Sequence, residues 1–122
     1  MDGKYNNPTQ VALNGGLRYL MWGGDGWIAG LLYDLLRSQG KDVAKTAIRM
    51  ENRELVDQEF DYRMPTHVLN CAGVTGRPNV DWCEDNKKAT IRNVIGTLNL
   101  ADCCFKKGIH CTVFATGCTY FP

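Results

Sequence analysis

Residues 70–84 read Asn70-Cys71-Ala72-Gly73-Val74-Thr75-Gly76-Arg77-Pro78-Asn79-Val80-Asp81-Trp82-Cys83-Glu84. The run leaves an apolar strand, Thr66-His67-Val68-Leu69-Asn70, and crosses a loop punctuated by Gly73 and Gly76. It arrives at a helix start, where Asp81 and Glu84 have capping-box spacing with Asp in place of Ser or Thr. A second passage from strand through glycines to helix lies upstream, Gly23-Gly24-Asp25-Gly26-Trp27-Ile28-Ala29-Gly30, and a third loop, Ala115-Thr116-Gly117-Cys118, lies downstream. In an open α/β sheet, ligands bind where loops leave the carboxyl ends of strands. Three such loops predict one nucleotide-binding crevice.

The elements around these loops alternate. Leu17–Trp22 reads as a short buried strand, followed by apolar residues Trp27, Ile28, Leu31, Leu32, Leu35 and Leu36 at helical spacing, predicted to pack as one stripe on a sheet. Gly40 stands where a helix C-cap belongs. Asp42–Ala47 reads as the second strand and Glu51–Tyr62 as a helix that Pro65 closes. The helix opened at Asp81 extends to Lys107, with Ile91, Val94, Ile95, Leu98, Ala101 and Phe105 as its predicted inner stripe and Gly108 as its cap. Ile109–Ala115 is the fourth strand. Alternation of this kind specifies an α/β fold, a Rossmann-like doubly wound parallel sheet, with expected strand order second, first, third, fourth. The sheet is expected to stop after about four strands and to leave the fourth as an open edge. Residues 1–16 read as a flexible extension and residues 17–122 as the N-terminal part of the domain.

Composition bounds the function. The 122 residues are 44% hydrophobic, enough for one globular domain. The net charge of +1 is made of scattered Lys and Arg, so no nucleic-acid partner is expected. No apolar run approaches the roughly 18 residues of a membrane span, and Met1–Gly16 lacks a signal-peptide core. A cytoplasmic location without membrane association is therefore the expectation. The six cysteines have no CxxC spacing, and the histidines are His67 and His110, so neither a disulfide framework nor a metal site is predicted.

The first glycine loop has the strand–turn–helix context that gives such a motif meaning. Gly23 permits the tight turn and Gly26 lets a pyrophosphate approach the backbone at the helix N-terminus. Asp25 places a carboxylate in that loop, unfavourable if its side chain points at the pyrophosphate. Cofactor choice depends on the end of the second strand, where an acid favours a ribose 2′-hydroxyl and an Arg a 2′-phosphate. Thr46 and Ala47 occupy that region, with Arg49 just beyond, which leans towards NADP(H) over NAD(H).

Gly26-Trp27-Ile28, Arg49-Met50-Glu51-Asn52-Arg53, Ile91–Thr97, Ala115-Thr116-Gly117-Cys118 and, most specifically, Ala72–Glu84 together resemble the nucleotide-rhamnose synthase family. These are 3,5-epimerase/4-reductases of the extended short-chain dehydrogenase/reductase superfamily, similar to dTDP-4-dehydrorhamnose reductase. The resemblance spans about residues 17–120, with a one-residue gap near Asn93. It implies an NAD(P)H-dependent enzyme that makes UDP-L-rhamnose from UDP-4-keto-6-deoxyglucose. It also implies roles for individual residues. Gly23, Gly26, Trp27, Ile28, Arg49, Asn70, Ala72, Gly73 and Val74 would bind the cofactor. Thr75, Gly76 and Arg77 would lie between nicotinamide and sugar nucleotide. Thr116 would be the hydroxyl near the reacting carbonyl, Cys118 the acid/base for epimerisation, and Asn93 a helix residue supporting the site.

The chain departs from the family pattern at Gly24 and Asp25, where a basic residue and a threonine are usual. The family's Tyr-x-x-x-Lys pair has no counterpart here: Tyr62 is followed by Pro65 and Thr66, and Tyr120 by two residues. Expected activity thus depends on a longer form, a homo-oligomer or a completing chain. The alternative reading is a non-catalytic NADP-binding module or regulatory subunit, or a truncated relic. On their residues alone, Cys118 reads as a buried core thiol rather than an acid/base, and Trp27 and Trp82 as packing anchors.

Overall fold

The structure is a computed structural model and describes residues 16–72 and 87–114. Its elements are β1 (Arg18–Trp22), α1 (Trp27–Ser38), β2 (Asp42–Thr46), α2 (Arg53–Arg63), β3 (His67–Asn70), α3 (Lys87–Lys107) and β4 (His110–Val113). The four strands are parallel in the order β2-β1-β3-β4, the α/β topology expected from the alternation. In register, Trp22 stands beside Thr46 on one side and Asn70 on the other, so three carboxyl ends finish level.

Side chains alternate between the sheet's faces as strand geometry requires. Leu20, Trp22 and Val68 point to one face and join Val56 and Phe60 of α2 with Leu100, Cys103 and Cys104 of α3 in the main core. Met21 and Leu69 point to the other face and pack against Ala29, Leu32, Tyr33 and Leu36 of α1. Trp22 meets Phe60 edge to face at 6.0 Å.

The buried stripes of α1 and α3 differ from the predicted ones. On α3, Ile91, Val94, Ile95, Leu98 and Phe105 are exposed by half or more, Phe105 at 84%, and Ala101 is half-buried. The buried positions are Gly96, Leu100, Cys103 and Cys104, spaced i, i+4, i+7, i+8. Close approach explains the choice: a Cβ on Gly96 would lie 3.1 Å from Met50 Cβ, so the inner face admits small residues. On α1, Leu32 and Leu36 of the predicted stripe do face the sheet, joined by Ala29 and Tyr33, whereas Trp27, Ile28, Leu31 and Leu35 face outward. Trp27, 79% exposed, anchors no packing. Both helices carry apolar residues on two faces, and the larger set does not meet the sheet.

Helix ends are set by local chemistry. The Asn52 side chain caps α2 by accepting from the Leu55 N–H at 3.1 Å, which starts the helix two residues after the predicted Glu51. Met64 closes it in the left-handed region at φ 49°, ahead of Pro65. At the sheet's amino end, Tyr19, His67 and His110 line up across three strands, ring centroids 5.2 and 5.3 Å apart. Burial, then the neighbouring His110, pushes the His67 pKa down.

Two outcomes test this packing. Leu100→Ala should cost about 2–5 kcal/mol and Leu98→Ala less than about 1 kcal/mol in urea unfolding, because only the first leaves a cavity. A His67 whose pKa is lowered on folding binds protons less readily than in the unfolded chain. Stability should therefore fall as pH drops through the unfolded value of 6.5 and level off below the folded one. His67→Gln should flatten that part of a melting-temperature profile.

Candidate functional site

The carboxyl ends of β1, β2 and β3 border a cleft of about 520 Å³. Three segments line it: Trp22–Gly26 after β1, Lys45–Glu51 from the end of β2, and Cys71-Ala72 after β3. This is the crevice position that an open α/β sheet reserves for ligands.

Gly23 decides the shape of the floor. Its φ is +72°, and a Cβ there would lie 2.5 Å from the Cα and N of Ala72 and 2.6 Å from the carbonyl carbon of Cys71. The loops after β1 and β3 thus touch backbone to backbone, as only glycine allows. The Gly26 N–H donates to Gly23 O at 3.2 Å, which closes the turn, and Gly26 is itself the N-cap of α1. No side chain caps that helix, and its first turn holds no acid. Its free N–H groups and positive dipole end open at the cleft, the arrangement that suits a phosphate. The Asp25 residue also lines the cleft, so the loop's carboxylate belongs to the site's surroundings.

The loop between β2 and α2 is held from two directions. Buried Trp22 donates its indole Nε1–H to Ile48 O at 2.7 Å. From α3, Asn99 donates Nδ2–H to Met50 O at 2.6 Å, and Arg53 donates to Asn99 Oδ1 at 2.8 Å. Arg53 also pairs with Asp102. Arg49, Met50 and Glu51 are therefore presented to the cleft by a fixed backbone. Trp22, Lys45 and Ile48 were not given a place at the site by the sequence, and Gly24, Thr46, Ala47, Met50, Glu51 and Cys71 were noted there only as parts of motifs or loops, without a binding role. The signal they share, position at or just after a strand's carboxyl end, could have found them.

Of the predicted site residues, Gly23, Gly26, Arg49 and Ala72 come together in the lining. Asn70 lies directly beneath, 1% exposed, its Oδ1 accepting from the Ala72 N–H at 3.1 Å. Among the described residues its Nδ2 is buried with no hydrogen-bond partner, a costly vacancy that suits an acceptor at this end of the sheet. Trp27 and Ile28 are not in the lining: their side chains are exposed on α1, and only their backbone stands at the helix start. Asn93 is half-buried on α3 and also outside the lining. Gly73, Val74, Thr75, Gly76, Arg77, Thr116 and Cys118 lie outside the described residues. Cys71, half-buried, has its thiol pKa pushed up by burial and stays protonated near neutrality.

A cleft across the strand ends, a glycine floor and an uncapped helix start define a dinucleotide-binding unit of the Rossmann class. The chain belongs to the NAD dependent epimerase/dehydratase family, whose profile matches residues 19–122. It is 48% identical over 103 residues to a bifunctional dTDP-4-dehydrorhamnose 3,5-epimerase/dTDP-4-dehydrorhamnose reductase of Arabidopsis thaliana, covering 84% of this chain and 34% of the relative. It is 50% identical over 105 residues to an Arabidopsis thaliana trifunctional UDP-glucose 4,6-dehydratase/UDP-4-keto-6-deoxy-D-glucose 3,5-epimerase/UDP-4-keto-L-rhamnose-reductase, covering 85% of this chain and 16% of that protein. Among solved structures, the L780 UDP-rhamnose synthase of Acanthamoeba polyphaga mimivirus superposes with a TM-score of 0.79 at 28% identity, over 85% of this chain and 38% of that one. The chain thus spans about a third of the bifunctional relative it matches. Among the described residues no helix is long and apolar enough to cross a membrane.

Two glycines separate site geometry from helix propensity. Gly23→Ala should cost at least about 1–2 kcal/mol from the left-handed backbone alone and should disrupt dinucleotide binding. Gly30→Ala, inside α1 with nothing within 4 Å of the added Cβ, should stabilise by about 0.5–1 kcal/mol. Urea unfolding midpoints of the two variants check both.

Proposed function

We propose that this chain is the N-terminal, cofactor-binding portion of an NAD(P)H-dependent nucleotide-sugar 3,5-epimerase/4-reductase that forms UDP-L-rhamnose from UDP-4-keto-6-deoxyglucose. The observation that carries the reading is the 48% identity with a bifunctional 3,5-epimerase/reductase over a stretch that contains the whole glycine-floored cleft.

The residues fit a dinucleotide on the structure's own terms. The cleft is of ligand size, its floor excludes any side chain at Gly23, and the free N–H groups at the start of α1 open at its edge. In this reading a bound nicotinamide supplies the hydride for ketone reduction. The α1 N-terminus and the Gly23–Gly26 turn hold the pyrophosphate. Asn70 Nδ2, buried and unpartnered, donates to an acceptor on the bound molecule and helps fix its depth. Gly73 and Val74 contribute to cofactor binding, and Thr75, Gly76 and Arg77 to binding the sugar nucleotide. The Thr116 hydroxyl hydrogen-bonds the substrate carbonyl, and Cys118 exchanges protons at the carbons flanking it. Asn93 supports these groups from α3.

Within these 122 residues no tyrosine has a lysine four positions on. The proposal therefore assigns this chain the binding and orientation of cofactor and substrate. The general acid for ketone reduction comes from a longer form or from a different, completing chain.

Thermal unfolding of the 122-residue chain with and without saturating NADPH or NADH tests the reading. A ligand at a hundred times its Kd stabilises the folded state by about 2.7 kcal/mol, so either cofactor should raise the melting temperature by several degrees. A cooperative transition that neither cofactor moves would overturn it.

A further inference from the structure

The main core holds a pair of thiols that the dinucleotide site does not use. Cys104 lies in the last turn of α3, 1% exposed, and Cys111 lies in β4. The turn between them is tight. Gly108 takes a left-handed φ of +71°, and the Ile109 N–H donates to Cys104 O at 2.9 Å. That hydrogen bond folds β4 back over the helix end that precedes it. Ile109 is buried in the main core, and Cys111, two residues on, shares its face of the strand. Cys111 is also level with Val68 of β3, another main-core residue. It therefore faces α3 and packs against the core that contains Cys104.

The two sulfurs meet there. The Cys104 thiol donates a hydrogen bond to the Cys111 sulfur, which pushes the Cys104 pKa up, with burial adding to the rise, and pulls the Cys111 pKa down against burial. Cys111 is thus the more acidic of the two, and it is half-buried where Cys104 is closed off. Thiolate character and access together select a cysteine for oxidation. Both residues are free thiols in the structure. Cys103, next along the helix, has Arg53, Asp57 and Asp102 for neighbours, and Cys71 packs on the opposite face of the sheet.

We propose that Cys104 and Cys111 form a redox site, in which a hydroperoxide converts the thiol pair into a disulfide that ties the last turn of α3 to β4. The Cys111 thiolate attacks a peroxide oxygen. An S–O bond forms, the O–O bond breaks, and the leaving hydroxide takes up a proton to become water. The Cys104 sulfur then attacks the sulfur of the sulfenic acid. The S–S bond forms, the S–O bond breaks, and hydroxide leaves with the Cys104 proton as a second water. With hydrogen peroxide, two thiols are oxidised to one disulfide and the peroxide is reduced to two waters. The site is independent of the dinucleotide reading, since neither cysteine lines the cleft.

The test treats the reduced 122-residue chain with stoichiometric hydrogen peroxide and maps the product with chymotrypsin. Cleavage after Phe105 and Phe114 separates Cys103 and Cys104 from Cys111, and Cys111 from Cys118. The expected product is the Cys104 peptide linked to the Cys111 peptide, a link that dithiothreitol reverses. Fragmentation of the linked peptides assigns Cys104 rather than Cys103 in the unsubstituted chain itself. Cys103→Ser should keep the link. Cys104→Ser should lose it and leave Cys111 as a sulfenic acid that dimedone traps. The linked chain should melt several degrees higher than the reduced one, because the bond restrains the unfolded chain. In denaturing urea the preference for this pair should vanish, because the fold is what brings the sulfurs together. A link from Cys111 to any residue other than Cys104, an equal yield of the pair from the unfolded chain, or a melting temperature lowered by the link would each overturn the proposal.

Discussion

The structure depends on one contact without side chains, the approach of the Gly23 backbone to Ala72 and Cys71. A Cβ would need to sit 2.5 Å from backbone atoms of the neighbouring loop, so nothing larger than glycine closes this gap. The contact draws together the loops that follow β1 and β3. It also turns the chain so that α1 begins at the cleft, with Gly26 as a cap that blocks none of the helix's free N–H groups. Were these two loops further apart, the sheet could still form, since its ladders run through β1 to β4 independently. The floor of the cleft would not.

The other wall is fixed by polar contacts reaching across the main core. Trp22 belongs to the core by its ring and to the cleft by its indole N–H, which holds Ile48 O. Asn99 of α3 holds Met50 O, and Arg53 of α2 holds Asn99. A segment without regular structure, which would otherwise be mobile, is thereby tied to β1, α2 and α3 together. The core thus positions the binding groups, and packing changes on the α3 side reach the site through Met50.

The strand order, the parallel register and the crevice position follow from alternating elements and glycine-rich loops, and these were legible in the residues. Gly23 and Gly26 declared themselves by their place between a strand and a helix. The buried face of α3 was not legible, because Ile91, Val94, Ile95 and Leu98 present a larger apolar stripe than Gly96, Leu100, Cys103 and Cys104. Periodicity reports that a face is apolar, but the separation of helix and sheet decides which face fits, and that distance is a property of the assembled fold. On α1 the same reason hid Tyr33 and misplaced Trp27, Ile28, Leu31 and Leu35, while Leu32 and Leu36 were read correctly.

The central claim is that a dinucleotide lies across the carboxyl ends of β1, β2 and β3. Amide chemical-shift mapping of the isotopically labelled chain during titration with NADPH tests it most directly. The account predicts the largest shifts at Gly23–Ala29, Lys45–Glu51 and Asn70–Ala72. It predicts small ones at Tyr19, His67 and His110, at the opposite end of the same strands. Shifts concentrated at that opposite end, or on the exposed face of α3 at Ile91, Val94 and Leu98, would contradict it.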